Sequence, residues 1–275
     1  MNSVEIGIVD TRNIIRTIQE VYGYDFSNYA LTSLKRRLEK IIEDSSLASA
    51  DNLNMRLRED KPFFDDFLKD ISVETTEMFR DPSLWRTLRD ETIPGLMNDN
   101  LRFRIWIPVC VSGDELYSLA ILLREMDCLH KVEIIASSFC ERCIENIKQG
   151  VFSEKKYEIS AENYRRFQGA SEFEQYVKIN GKTAVRDTSL LESTSFIRQN
   201  IIFDSSPRDV KLILFRNKII YYNPGWQDKV LQIMHKSLSP KGHLIIGAKE
   251  KIRGNALKDY IVMNESENIF KKKFN

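Results

Sequence analysis

Arg104-Ile-Trp-Ile-Pro-Val-Cys-Val-Ser-Gly-Asp-Glu-Leu-Tyr-Ser-Leu-Ala120 passes from an apolar run through a short turn at Gly113 into an amphipathic helix. A buried strand that turns directly into a helix is the opening unit of a doubly wound α/β sheet. Ligands of such sheets sit outside the carboxyl ends of the strands, near this first turn. Gly113 has no Cβ, so backbone there can approach a ligand closely. Glu115 adds an acceptor for a cationic or hydroxylated ligand. One glycine in a strand–turn–helix also serves an ordinary turn in many folds.

Working outward, helical stretches alternate with short β-branched runs beyond Pro82: Phe103–Val109, Val132–Ser137, Val210–Phe215 and His243–Gly247. That alternation predicts a parallel sheet covered by helices. Between them, Tyr176–Ile179 and Thr183–Val185 flank Asn180-Gly181, a hairpin turn pair, which predicts a small antiparallel insert near residues 172–195. Upstream, Asn13–Tyr22, Leu31–Glu43, Ala50–Arg58 and Pro62–Asp70 space apolar residues by three and four, the pattern of helices. The expected organisation is an all-α domain over residues 1–75 and an α/β domain over 76–275. The run Lys271-Lys272-Lys273 is expected to be a frayed helix terminus.

Two further segments bring polar groups to this frame. In Val73-Glu-Thr-Thr-Glu-Met-Phe-Arg-Asp-Pro82, Thr76 and Arg80 stand four residues apart, and on a helical turn they would present a hydroxyl and a guanidinium fork to a carboxylate. The alternative is an Arg80–Asp81 surface pair with Thr76 as a cap. In Val210-Lys-Leu-Ile-Leu-Phe-Arg-Asn-Lys-Ile-Ile-Tyr-Tyr-Asn-Pro224, an apolar strand ends in Arg216-Asn217, where a doubly wound fold places its site. Tyr221 and Tyr222 follow, and core aromatics would look the same.

Bulk properties exclude several classes. The chain has 275 residues, 42% hydrophobic, with 41 basic and 40 acidic side chains for a formal charge of +1. It therefore offers no general field for nucleic acid or anionic membrane. No apolar run reaches the ~20 residues of a membrane span, and Met1–Asp10 lacks the pattern of a secretory signal, so a cytoplasmic location is expected. Cys110, Cys128, Cys140 and Cys143 form no disulfide framework, and Cys140-x-x-Cys143 has no partner ligands for a zinc site, so no metal is expected.

The three segments, in this order and spacing, resemble the CheR-type chemoreceptor glutamate O-methyltransferases. The first resembles that family's strand, Ser/Thr-Gly, two acids and Tyr-Ser-Leu-Ala; the second its Thr-x-x-Phe-Arg-Asp-Pro; the third its Arg-Asn-x-x-Ile-Tyr. The likeness extends to Tyr24–Tyr29 and Ser33–Arg37, and to Leu238–Gly242, spanning roughly residues 20–250. It implies a Rossmann-like methyltransferase sheet behind an all-α domain, with S-adenosylmethionine as cofactor and S-adenosylhomocysteine as product. Thr76, Arg80, Gly113, Glu115, Ser138, Asn200, Ile201, Arg216 and Asn217 fall where the family binds cofactor, Asn200 four residues after Phe196. Tyr221 falls on the tyrosine beside the reacting methyl, and Arg80 and Tyr221 are the candidates for orienting the reacting groups. Lys35, Arg36, Arg37 and Lys40 correspond to the part that meets the acidic receptor helices, although a solvated basic face would show the same pattern. The hairpin insert corresponds to a subdomain that in some members docks a receptor tail peptide. The implied partners are thus chemoreceptor cytoplasmic helices, with neither nucleic acid nor membrane insertion.

Three positions depart from the family pattern. Ser138 replaces the carboxylate that accepts from the ribose hydroxyls, Glu74 stands where an asparagine is usual, and Val109-Cys-Val111 is bulkier than the usual small residues. Loss of an ionic acceptor weakens a hydrogen bond from ~1.5–3 to ~1 kcal/mol. Ser138, Glu74 and Val111 therefore frame a competing expectation, a non-catalytic CheR-like docking or regulatory module that has lost cofactor binding.

Overall fold

The structure, a computed structural model, describes residues 4–27, 29–72, 76–97, 102–252 and 254–273. It divides into two compact units, one of Met1–Val73 with Lys218–Lys229 and one of Glu74–Asn217 with Val230–Asn275.

Among the described residues, the Met1–Val73 part of the first unit contains four α-helices, α1 (Ile8–Tyr22), α2 (Leu31–Asp44), α3 (Ala50–Glu59) and α4 (Lys61–Ile71). Each of the four predicted helices is present and longer than its apolar periodicity required by one to five residues. The extra turn of α1 comes from Gly7, whose N–H donates to Asp10 at 2.7 Å. Asp60 ends α3 and caps α4 by accepting from the Phe63 N–H at 2.9 Å, so one residue makes the corner. Ile14, Ile18, Leu38, Ile42, Leu53, Leu57, Phe64 and Phe67 fill the core between them. Asn223 starts the next helix, α10 (Pro224–Ser237), and Gln227 Nε2 donates to the Tyr222 carbonyl at 2.9 Å.

In the second unit, α5 (Pro82–Thr87) and α6 (Ile93–Leu96) precede β1 (Phe103–Ile107), α7 (Asp114–Glu125), β2 (Val132–Ser138) and α8 (Glu141–Gln149). β3 (Val151–Ser153), α9 (Tyr157–Phe167), β4 (Val177–Asn180) and β5 (Thr183–Arg186) follow, then β6 (Thr194–Arg198), β7 (Val210–Phe215), β8 (Leu238–Ile246), β9 (Tyr260–Asn264) and β10 (Ile269–Lys272). The main sheet has seven strands in the order β6-β2-β1-β7-β8-β10-β9. The strands from β6 to β8 pair in parallel, and β10 runs antiparallel between β8 and β9. Ile105, Ile107, Leu212, Leu214 and Ile245 have no exposed surface, as befits strands buried on both faces.

Three expectations need correction. Lys271 and Lys272 belong to strand β10, not to a helix terminus: Phe270 pairs with Leu244 on one side and Val262 on the other, and the Lys272 ammonium caps the His235 and Leu238 carbonyls at 2.8 and 2.7 Å. The antiparallel insert is a three-stranded sheet in the order β3-β5-β4, so it begins before α9, at Val151. At the other end, Thr194 and Ser195 lie in the main sheet, paired with Ile134 and Ile135. The segment from Thr76 to Arg80 is not helical, because Phe79 has φ 53° and Asp81 has φ 56°.

Candidate functional site

β6, β2, β1, β7 and β8 are parallel neighbours, so Arg198, Ser138, Ile107, Phe215 and Ile246 end on one edge of the sheet. The residue after β7 organises that edge. Arg216 donates from one guanidinium nitrogen to Glu115 Oε1 at 3.1 Å, and from the other to Asp81 Oδ2 at 2.7 Å and the Arg80 carbonyl at 3.1 Å. Its side chain is 3% exposed, and its Nε has no hydrogen-bond partner among the described residues. One buried cation thus joins the end of β7, the first turn of α7 and the chain before α5. Trp85 supports the join, its Nε1 donating to the same Arg80 carbonyl at 2.9 Å.

The Thr76–Arg80 segment is held by its main chain instead of by helical bonds. The Phe79 N–H donates to Ser118 Oγ at 2.8 Å, the Met78 N–H to Ser160 Oγ at 3.3 Å, and Asn163 donates to the Met78 carbonyl at 3.2 Å. The Phe79 ring is fully buried and stacks on Phe167 with centroids 4.8 Å apart. Fixed in this way, Thr76 and Arg80 are half-buried. Arg80 lies 4.0 Å from Glu77, whose carboxyl is pushed up by burial and partly returned by that guanidinium. Asp81 is paired with Arg216, so the alternative reading of it as no more than a surface partner of Arg80 does not describe its place.

The ends of β1 and β2 are tied together by the Cys110 N–H donating to the Ser137 carbonyl at 2.7 Å, while Trp106 Nε1 donates to Ser137 Oγ at 3.0 Å. Ser138 is 1% exposed and its hydroxyl accepts from the Cys140 N–H at 3.3 Å. The Ser138 carbonyl accepts from the Gln199 N–H at 2.9 Å, which brings the Asn200–Ile201 turn to the end of β2. Asn200 Oδ1 accepts from the Ile202 N–H at 3.1 Å, and Ile201 is buried. On the other side of β7, Glu250 accepts from the Asn217 N–H at 2.8 Å and the Gly247 N–H at 2.7 Å. A Cβ on Gly247 would meet Asn217 Oδ1 at 2.5 Å, so only glycine fits that approach.

The turn of the opening motif has the conformation expected for close approach. Gly113 has φ 77°, and a Cβ there would lie 3.0 Å from Ile147 Cγ2. Cys110 and Val111 are buried, 4% and 9% exposed, so their bulk is absorbed by the interior. Glu74 lies outside the described residues. Phe79, Asp81, Val109 and Asn217 all have positive φ, and each lies in a turn at this edge. Left-handed backbone at non-glycine residues is sparsely populated and gathers at sites where the surrounding bonds enforce it.

The structure places Arg80, Gly113, Glu115, Ser138, Asn200, Ile201, Arg216 and Asn217 on or beside one edge of the sheet, at the carboxyl ends of β6, β2, β1 and β7, with Thr76 four residues before Arg80. Five residues with parts in it escaped sequence reasoning. Asp81 is legible in the sequence only within its motif and as the alternative surface partner of Arg80, while Asp114, Ser118, Arg186 and Glu250 act through contacts distant in sequence that no local pattern announces. Tyr221 and the basic residues belong to the other unit. There the Arg37 guanidinium lies 4.3 Å from the Tyr221 ring centroid and donates to the Ile71 carbonyl, and the Ala30 N–H donates to the Tyr221 carbonyl at 2.8 Å. Lys35 pairs with Glu5 and Glu39, whereas Arg36 and Lys40 are exposed.

Among the described residues there is no group of His, Cys, Asp or Glu that could hold a metal, and no helix long and apolar enough to cross a membrane. An S-adenosyl cofactor suits the edge, which combines a glycine turn, an acidic side chain, asparagines on two turns and a buried guanidinium with one unpartnered nitrogen.

The chain belongs to the CheR methyltransferase family: residues 74–269 match the model of the CheR methyltransferase SAM binding domain, and residues 10–72 match that of the CheR methyltransferase all-alpha domain. S-adenosylmethionine is accordingly the cofactor of its second domain. The chain is 32% identical over 265 residues to a protein named putative methyltransferase Cher3 from Pseudomonas putida, covering 96% of this chain and 97% of that one. It is 26% identical to a chemotaxis protein methyltransferase of Listeria innocua, covering 86% and 88%, and 26% identical to chemotaxis protein methyltransferase 1 of Vibrio cholerae, covering 92% and 93%.

Proposed function

We propose that this member of the CheR methyltransferase family transfers the methyl group of S-adenosylmethionine to glutamate side chains on the cytoplasmic helices of chemoreceptors. The observation that carries the reading is the buried Arg216 network, which joins Glu115, Asp81 and the Arg80 carbonyl next to Asn217 at the carboxyl edge where a doubly wound sheet binds its ligand.

When bound, S-adenosylmethionine would supply an electrophilic methyl on its sulfonium to a glutamate carboxylate already ionised at neutral pH, the sulfur keeping the bonding pair. The protein then needs no general base. Its contribution is position and exclusion of water. Thr76 and the Arg80 guanidinium are assigned to the cofactor carboxylate, Glu115 to the cofactor's cationic or hydroxyl groups, and Ser138 to the ribose. Asn200, Ile201 and Asn217 border the remainder. Arg80 orients the reacting groups. Arg36 and Lys40, the exposed pair of the four basic candidates, are assigned to acidic receptor helices, while Lys35 and Arg37 serve the helical unit itself.

The test is methyl-ester formation on a receptor cytoplasmic fragment with labelled S-adenosylmethionine, read as base-labile methanol, beside a fragment whose acceptor glutamates are alanines. Label on the first fragment alone is expected. S-adenosylhomocysteine binding without label on any receptor would redirect the search for substrate. Failure to bind it at millimolar concentration would replace the enzyme by a docking module, for which Ser138 is the supporting observation.

A further inference from the structure

We infer that Arg186, at the end of the antiparallel insert, is a positioning residue for the cofactor, acting through Asp114 on the glycine turn. The inference rests on the assignment of that turn to S-adenosylmethionine.

Asp114 is the first residue of α7, directly after Gly113, and it is 1% exposed. Its carboxylate accepts from the Arg186 guanidinium at one oxygen and from Lys156 Nζ at 3.4 Å at the other. The second guanidinium nitrogen of Arg186 donates to the Ser112 carbonyl at 3.4 Å. One side chain therefore grips the residues on both sides of Gly113. Arg186 is itself fixed by the insert: its N–H donates to the Gly150 carbonyl at 3.0 Å, and its guanidinium lies 4.1 Å from the Phe152 ring centroid and 5.0 Å from that of Tyr117. A Cβ on Gly150 would lie 2.8 Å from the Arg186 carbonyl, so the C-terminus of α8 gives the arginine its place only by being glycine.

The energetics argue for orientation over stability. Both side chains are 1% exposed and Arg186 Nε has no hydrogen-bond partner among the described residues, so the pair is desolvated and incompletely satisfied there. Apolar residues of similar volume commonly stabilise a fold as well as such a pair does, whereas removing one member leaves a buried charge. What apolar residues could not supply is the directional hold on a left-handed turn with an acceptor on each side.

The experiment compares wild type with Arg186→Met, Asp114→Asn/Arg186→Met and Arg186→Lys by S-adenosylhomocysteine calorimetry, thermal unfolding, and hydrogen exchange of the 110–115 amides without ligand. Arg186→Met is expected to lower the melting temperature and weaken binding about tenfold or more, as displacement of a binding turn does. The double variant removes both fully buried charges and leaves only the partly exposed Lys156 to be solvated, so its melting temperature recovers while its affinity stays low and its turn amides exchange faster. Lysine, reaching one acceptor, lies between. Recovery of affinity together with melting temperature in the double variant would reduce the pair to a structural one and overturn the inference. So would unchanged exchange of the turn in Arg186→Met. If wild type itself binds no S-adenosylhomocysteine, the cofactor assignment fails, and with it the claim on cofactor; faster exchange would then leave Arg186 as a clamp on the turn alone.

Discussion

The carboxyl ends of β7 and β2 stand one strand apart on the same sheet edge and are built on opposite electrostatic plans. At β7, Arg216 is a buried cation balanced by Asp81 and Glu115, and Glu250 fixes the backbone beyond it. At β2, Ser138 is neutral, and its hydroxyl already accepts from the Cys140 N–H. A charged network makes one end rigid and expensive to alter, because loss of the buried Arg216 leaves the largely buried Glu115 and the partly exposed Asp81 without their shared cation. A neutral turn bonded to its own backbone tolerates change. The cofactor edge is thus firm on the side of Arg80 and weak on the side assigned to the ribose.

Breaking the firm end should have the largest effect. Arg216→Met leaves Asp81 and Glu115 facing each other without their shared cation, at a cost of about 3–5 kcal/mol measured by denaturant unfolding. S-adenosylhomocysteine affinity should fall with it. An unchanged midpoint would show that solvent, not Arg216, balances those carboxylates. Gly113→Ala should cost about 1–2 kcal/mol for a left-handed alanine, with an added penalty from Ile147 at 3.0 Å, and should weaken cofactor binding in the same calorimetric titration.

Strengthening the weak end gives a smaller gain. Ser138→Asp keeps an acceptor for the Cys140 N–H and adds a second oxygen for the ribose, so S-adenosylhomocysteine should bind about tenfold tighter, ~1.4 kcal/mol. No gain would mean that the ribose lies elsewhere. The smallest effect concerns a group away from the edge. His243 in β8 is held at about 4, below its ordinary 6.5, by burial and secondarily by Lys271, and its Nδ1 has no hydrogen-bond partner among the described residues. Below pH 6.5 the unfolded chain takes up this proton before the folded one does, so stability declines as pH falls towards 4 and levels off below it. Because the side chain is only half-buried, the loss attributable to it is about 1 kcal/mol. His243→Leu should remove that share, seen as a shallower fall in unfolding free energy between pH 7 and 4.5.

Much of this was legible in the amino-acid sequence because it rests on local rules. Apolar spacing located the four helices, β-branched runs located the central strands, and Asn180-Gly181 located the β4–β5 hairpin, each a pattern of neighbours along the chain. The motif residues Glu115, Arg216 and Asn217 were likewise readable. What they bond to was not. Arg216 meets Asp81 across 135 positions and Arg186 meets Asp114 across 72, and a charged side chain carries no mark of its partner until the chain has folded. The same limit explains the Thr76–Arg80 segment, where Ser118, Ser160 and Asn163 bind its backbone and override helical spacing. It explains Lys271 and Lys272 as well, whose strand exists only because β8 and β9 offer hydrogen-bonding edges on either side. Periodicity and turn chemistry are short-range and therefore written in order along the chain; ion pairing and ladder formation depend on which groups packing brings together, and only the tertiary structure decides that.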